Sequence, residues 1–230
     1  MKSSAHNLQA ILLCGGKGER LRPLTDDMPK PLIPIKGKPL LRHIVEHAQK
    51  HGIGAFIAAV GYKAEKIKDY LENQLQIKAE FVDSGDADII KRLNDCAALI
   101  QGDFLVLYGD TLSDVDLEKL IAFHRSRAEK ATVTVWPLQS QFGVLEVAED
   151  GKVVSFKEKP VLDKWINIGY FYFEKEALDW MRGFERFEDF LHWLVAEGKL
   201  NAYQHKGIHI TVNTIKELDE AEKNIGRVLG

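Results

Sequence analysis

Residues 12–32 read LLCGGKGERLRPLTDDMPKPL, and the rest of the chain is read outward from them. A strand-type apolar run from Ala10 to Leu13 leads into Gly15, Gly16 and Gly18, and Lys17, Arg20, Arg22 and Lys30 bracket the turn. Glycines let backbone N–H groups come close to an anion, and fixed cations neutralise it. The loop is therefore suited to phosphates. Its spacing is neither the GxxxxGK[ST] of a P-loop nor the GxGxxG that opens a helix in dinucleotide sites.

The 230 residues suffice for one α/β domain over positions 1–230 with a sizeable core. With 45% hydrophobic and 28% charged residues the composition is that of an ordinary globular protein. A net charge of −3 gives no electrostatic case for nucleic acid or an anionic membrane as partner, so the cations around the loop are local and favour a small anionic ligand. The two cysteines, Cys14 and Cys96, lack metal-ligand spacing and are expected as reduced thiols. No apolar run approaches a membrane span, and MKSSAHNLQ lacks the apolar segment of a leader, so a cytoplasmic location is expected.

Strand-type runs alternate with amphipathic segments through the first half, which predicts an α/β fold with a largely parallel sheet covered on both faces. Strands are expected at Gln9 to Leu13, Ala55 to Val60, Lys78 to Val82 and Phe104 to Tyr108, with helices at Leu40 to Lys50, Glu65 to Glu72, Ile89 to Ile100 and Leu117 to Ser126. Closely spaced strands at Thr132 to Trp136, Gly143 to Val147, Val153 to Lys157 and Ile166 to Phe173 predict a partly antiparallel addition. Helices at Lys175 to Met181 and Glu188 to Ala196 follow, then strands at Ala202 to His205 and His209 to Val212 and a closing helix from Ile215 to Val228. Ligands of open α/β sheets bind outside the carboxyl ends of the strands, which puts the loops after Leu13, Val82 and Tyr108 at the site.

Asp110 follows the apolar run FLVLY and Gly109, a position suited to holding Mg²⁺, which takes oxygen ligands and shares substrate phosphates. Asp114 or Asp116 is expected to cap the helix from Leu117. His43 and His47 have metal-ligand spacing on a helix without an evident third ligand, so a packing or solvated role is expected. The aromatic cluster from Trp180 to Trp193 reads as core or a subunit contact.

GGKGERLRPLT followed by KPL resembles the signature of the sugar-1-phosphate nucleotidyltransferases. The chain is more specifically similar to glucose-1-phosphate cytidylyltransferases at KPLLRHIVEHAQKHGI, VGYKAEKIKDY, FVDSG, YGDTLSDVDLEKLIAFHRS, FGVLEV, FKEKP, WINIGYF, AEGKLNAYQHKG and VNT, in that order. The resemblance implies a Rossmann-like nucleotide-diphospho-sugar transferase fold, with an NTP and a sugar 1-phosphate as partners and a homo-oligomer allowed. Carried over by position, Gly15, Gly16, Gly18 and Arg20 would cradle the triphosphate, Leu13 and Gly109 would also bind the nucleotide, and Lys30 would stand between nucleotide and sugar phosphate. Asp83, Gly85 and Tyr108 would surround base and ribose, and Glu158, Lys159, Asn167 and Gly169 would line the sugar pocket. Asp110 and Asn213 would hold Mg²⁺.

Two departures stand out. The family has Asp where this chain has Asn213, so one charge is missing from the metal site. Where the cytidylyltransferases carry Thr-Gly-Gly-Arg, this chain runs DADIIKRL and retains Arg92 in register, so CTP does not follow from the resemblance. The expected reaction is nucleotidyl transfer to a sugar 1-phosphate for surface polysaccharide or a related glycan. Guanylyl transfer to a heptose or mannose 1-phosphate is the alternative within the class, and a non-catalytic nucleotide-sugar-binding module is the alternative outside it.

Overall fold

The structure is a computed structural model that describes residues 8–228. The first seven residues, on which the leader reading partly rests, lie outside the described residues.

Among the described residues the central sheet has seven strands, in the order Leu200–Gln204, Ala131–Gln139, Val161–Phe173, Phe104–Tyr108, Gln9–Leu13, Ala55–Val60 and Ala79–Asp83. Val161–Phe173 runs antiparallel to both of its neighbours, and the remaining pairings are parallel. The parallel register aligns Leu13 with Tyr108 and with Ala59, and Val60 with Asp83, so these strands end along one edge.

Alternation along each strand divides the core between the two faces of the sheet. Ala10, Leu12, Ala58, Leu105, Leu107, Tyr170 and Tyr172 pack on one side with Leu41, Ile44 and Val45 of the Leu40–Lys50 helix and with Leu120 and Ile121. Ile11, Ile57, Ala59, Val106, Phe171 and Phe173 pack on the other against Ile90 and Leu93, Leu178 and Met181, and Phe187, Phe190 and Leu194. Covering both faces is why the strands read as continuous apolar runs rather than alternating ones. Burial of each of the Leu, Ile, Val and Phe side chains among these stabilises by about 1.5–3 kcal/mol.

The expected packing roles are met. His43 Nε2 donates to Ile35 O at 3.0 Å and His47 Nε2 to Val115 O at 2.9 Å. Phe187 and Phe190 are buried, with Phe184, Trp180 and Trp193 packed against them. Asp116 caps the Leu117–Arg125 helix by accepting from Lys119 N at 3.0 Å. Asp114 instead accepts from Ile208 N at 2.6 Å and from His205 Nε2 at 2.8 Å, tying the segment after Tyr108 to the one before His209. Among the described residues, no helix is long and apolar enough to cross a membrane.

Candidate active site

Two adjoining clefts open at the carboxyl ends of the strands. One, of about 520 Å³, is lined by Gly16, Lys17, Gly18, Arg20, Lys30, Asp110 and Asn213. The other, of about 230 Å³, is lined among others by Leu13, Gly15, Tyr108 and Gly109. Gly16, Lys30, Asp86 and Asp110 border both. A polar cleft beside a smaller, more enclosed one suits a ligand with an anionic tail and a flat, partly apolar head.

Asp110 and Asn213 are far apart in sequence and meet through a two-stranded ribbon. Thr111–Ser113 pairs antiparallel with His209–Thr211, with Thr111 opposite Thr211, and Val212 N donates to Asp110 O at 3.4 Å. Lys30 comes from a short turn, Lys30–Leu32, and is 8% exposed. Its Nζ donates to Asp110 Oδ2 at 2.6 Å and to Asn213 Oδ1 at 2.7 Å. Arg20 donates a further bond to Asn213 Oδ1 at 3.0 Å. The Asn213 amide is oriented by its own Nδ2 donating to Thr211 Oγ1 at 2.9 Å, and Asn213 N donates to Glu217 Oε2 at 2.6 Å. Two cations therefore meet one carboxylate and one neutral oxygen, leaving these four side chains with a charge of +1.

Thr25 Oγ1 braces the glycine loop by donating to Gly18 O at 3.0 Å, and Lys17 spans the mouth to Asp86 at 2.5 Å. Cys14 lies under the loop with its thiol pushed up to about 12 by complete burial, and the Asp110 carboxylate adds to the rise. Tyr108 is likewise raised to about 12, mainly by burial. Neither group is a nucleophile at neutral pH.

Of the residues expected around the nucleotide, Tyr108 and Gly109 line the smaller cleft, whereas Asp83 and Gly85 line neither. They form the turn behind it, where Asp83 Oδ1 accepts from Gly85 N at 2.9 Å. Of the residues expected around the sugar, Asn167 and Gly169 reach Tyr108. Asn167 bears on the phenol, opposing the rise of its pKa, and accepts from Gly169 N at 2.8 Å. Gly169 has φ 77°, and a Cβ there would lie 2.4 Å from Tyr108 Cγ, so the tyrosine ring needs a glycine against it. Glu158 and Lys159 are exposed beyond the Val144–Val147 and Val153–Lys157 hairpin and border neither cleft. Asp86 is the residue that sequence reasoning missed. It sits in a turn without a motif, and only the tertiary approach to Lys17 reveals it.

Asp110 and Asn213 also fit a divalent cation. Both are hard oxygen donors, and they already converge on one cationic group, the Lys30 ammonium. Among the described residues there is no cluster of three His, Cys, Asp or Glu side chains able to hold a metal, so substrate phosphates would have to complete the coordination.

Residues 9–209 match the family model described as nucleotidyl transferase. A Bacillus subtilis (strain 168) protein named "Probable glucose-1-phosphate cytidylyltransferase" is 37% identical over 243 residues, spanning 94% of this chain and 95% of the relative. Glucose-1-phosphate cytidylyltransferase of Salmonella typhi is 32% identical, spanning 91% and 93%. HddC from Yersinia pseudotuberculosis has the same fold, with a TM-score of 0.74 at 24% identity, covering 95% of this chain and 99% of that one. The chain therefore belongs to the nucleotidyl transferase family. Within that family it stands with the sugar-1-phosphate nucleotidyltransferases.

Proposed function

We propose that the chain transfers a nucleoside monophosphate from an NTP to a sugar 1-phosphate in the cytoplasm, providing a nucleotide sugar for surface polysaccharide or a related glycan. The observation that carries this reading is the convergence of Arg20, Lys30, Asp110 and Asn213 beside the glycine loop. A phosphate oxygen of the sugar phosphate attacks the α-phosphorus in line. The new P–O bond forms as the bond to the bridging oxygen breaks, and pyrophosphate leaves with the electron pair. The attacking oxygen is already anionic, so no general base is required. Arg20, Lys30 and the loop amides offset the charge that develops on the phosphoryl oxygens, and the fixed geometry removes the entropic cost of bringing two anions together. Asp110 and Asn213 would hold Mg²⁺, which when bound supplies electrostatic neutralisation of the triphosphate and the leaving group.

A matrix of CTP, GTP, UTP and dTTP against glucose, mannose and heptose 1-phosphates, read by pyrophosphate release, tests the reading. CTP with glucose 1-phosphate is the first pair to try, because the relatives named above carry that activity in their names. Turnover of a GTP pair alone would select guanylyl transfer. Binding of an NTP without pyrophosphate from any pair would point to a binding module.

Asn213→Asp probes the departure in the metal site. It takes the Arg20, Lys30, Asp110 cluster from +1 to neutral, and one added unit charge about 4 Å from a divalent cation is worth about 2 kcal/mol in water. The wild type is expected to turn over, and the variant to need about 30-fold less Mg²⁺ for half-maximal rate. An inert wild type rescued by the substitution would favour the binding module, and an unchanged Mg²⁺ dependence would place Asn213 outside the metal shell.

A further inference from the structure

Arg92 is 5% exposed and rises from the Ile89–Cys96 helix to border the smaller cleft. Asp88 starts that helix, accepting from Ile90 N at 2.9 Å, and also accepts from Phe187 N at 3.0 Å, so the base of Arg92 is fixed. The partners of the guanidinium are carbonyls rather than carboxylates. Nε donates to Ala87 O at 3.1 Å, Nη1 to Val60 O at 2.7 Å, and Nη2 to Gly85 O at 2.7 Å and Gly15 O at 3.3 Å. These acceptors belong to the glycine loop, the end of the Ala55–Val60 strand and the turn after Asp83, so one side chain joins all three segments. The fit leaves no room: a Cβ on Gly15 would stand 1.8 Å from Nη1 of Arg92.

We propose that Arg92 is a positioning residue of the nucleotide site, acting through the backbone it holds rather than by reading the base; this rests on the nucleotidyl-transfer reading above. In a trans peptide the N–H points opposite the C=O. Holding Gly15 O therefore fixes the direction of Gly16 N–H, and holding Gly85 O fixes that of Asp86 N–H, and Gly16 and Asp86 border both clefts. With carbonyl partners only, the guanidinium keeps its charge available to an anionic ligand. Its field adds to that of Lys17 in holding the Asp86 carboxyl below its ordinary range. Most of its N–H donors are committed to the backbone, which leaves it poorly equipped to discriminate one base from another.

The test is calorimetric titration of Mg–CTP and Mg–GTP into wild type and the variants Arg92→Lys, Arg92→Met, Arg92→Ala, Gly15→Ala and Gly15→Ala/Arg92→Ala, at a temperature where thermal melts show each to be folded. Arg92→Met is expected to weaken binding of whichever nucleotide the wild type takes by about tenfold or more, and Arg92→Lys to restore little of it, since a single ammonium cannot span the carbonyls. KM for the nucleotide should rise while KM for the sugar 1-phosphate stays within about twofold, a split that general loosening of the fold would not give. Gly15→Ala should weaken binding in the wild type but change it by less than about twofold in the Arg92→Ala background, where the guanidinium nearest the added methyl is gone. Arg92→Met binding like wild type, or Gly15→Ala and Arg92→Ala effects that simply multiply, would overturn the assignment. A wild type that binds neither nucleotide nor UTP or dTTP would instead sink the nucleotide-site reading on which it rests.

Discussion

Asp110→Asn is expected to abolish Mg²⁺-dependent pyrophosphate release while leaving the protein folded. The carboxylate stands at the end of the Phe104–Tyr108 strand, receives the Lys30 ammonium at 2.6 Å and Thr111 Oγ1 at 3.2 Å, and has a side chain 34% exposed to the cleft. Asparagine preserves an oxygen for Lys30 but removes the one full negative charge of the cluster, so Mg²⁺ would face two cations and two neutral amides. The fold has less at stake, because the pair is open to solvent on the Asp110 side and its attraction is screened there. A loss of about 1 kcal/mol, a fall in Tm of about 2–4 °C, is the expected structural cost. Lost activity with a near-native melt is the diagnostic pair of results. Full activity at ordinary Mg²⁺ would move the metal site elsewhere.

Arg20→Ala should lower kcat by about 30- to 1,000-fold, the ~2–4 kcal/mol associated with removing one preorganised donor to developing charge. Arg20 is exposed, and its guanidinium reaches Asn213 Oδ1 at 3.0 Å at the edge of the larger cleft. Its loss should therefore leave Tm unchanged and weaken nucleotide binding less than turnover, because its bond is strongest when charge has built up on the phosphoryl group. Arg20→Lys keeps the charge but not the planar fork and should recover only part of the rate. Turnover within a few-fold of wild type in Arg20→Ala would remove the glycine loop from the reaction.

Local chemistry alone placed much of the scaffold. The strands Gln9–Leu13, Ala55–Val60 and Phe104–Tyr108 and the helix Leu40–Lys50 stand where apolar runs and helical spacing put them, because burial on both faces or along one stripe writes itself into the pattern of residues. The third parallel strand runs Ala79–Asp83, one residue later than its apolar run predicts, and its partly exposed side chains at the sheet edge give the pattern less to mark. The antiparallel strand begins at Val161 rather than Ile166, since Val161 and Trp165 pair with Gln139 and Pro137 through the backbone while their side chains stay exposed. Periodicity cannot register pairing of that kind. The helix after Ala64 ends in a wider turn over Tyr70–Gln74, a local rewinding that the residue pattern does not announce.

The glycine loop, Arg20, Lys30 and Asp110 were legible as candidates because each lies at a strand end or within a compact motif, where residue type and spacing mark them out. The tertiary structure alone decided how they meet. Asn213 reaches Asp110 only because Thr111–Ser113 and His209–Thr211 form a ribbon, and Asp86 faces Lys17 only because two loops fold toward each other. Arg92 differs again: the sequence preserved a guanidinium in the expected register, but packing turned it inward onto Gly15, Val60, Gly85 and Ala87. A residue's type fixes which bonds it is able to make. Which partners stand within reach is set by the long-range packing of strands and helices, and no local pattern encodes that.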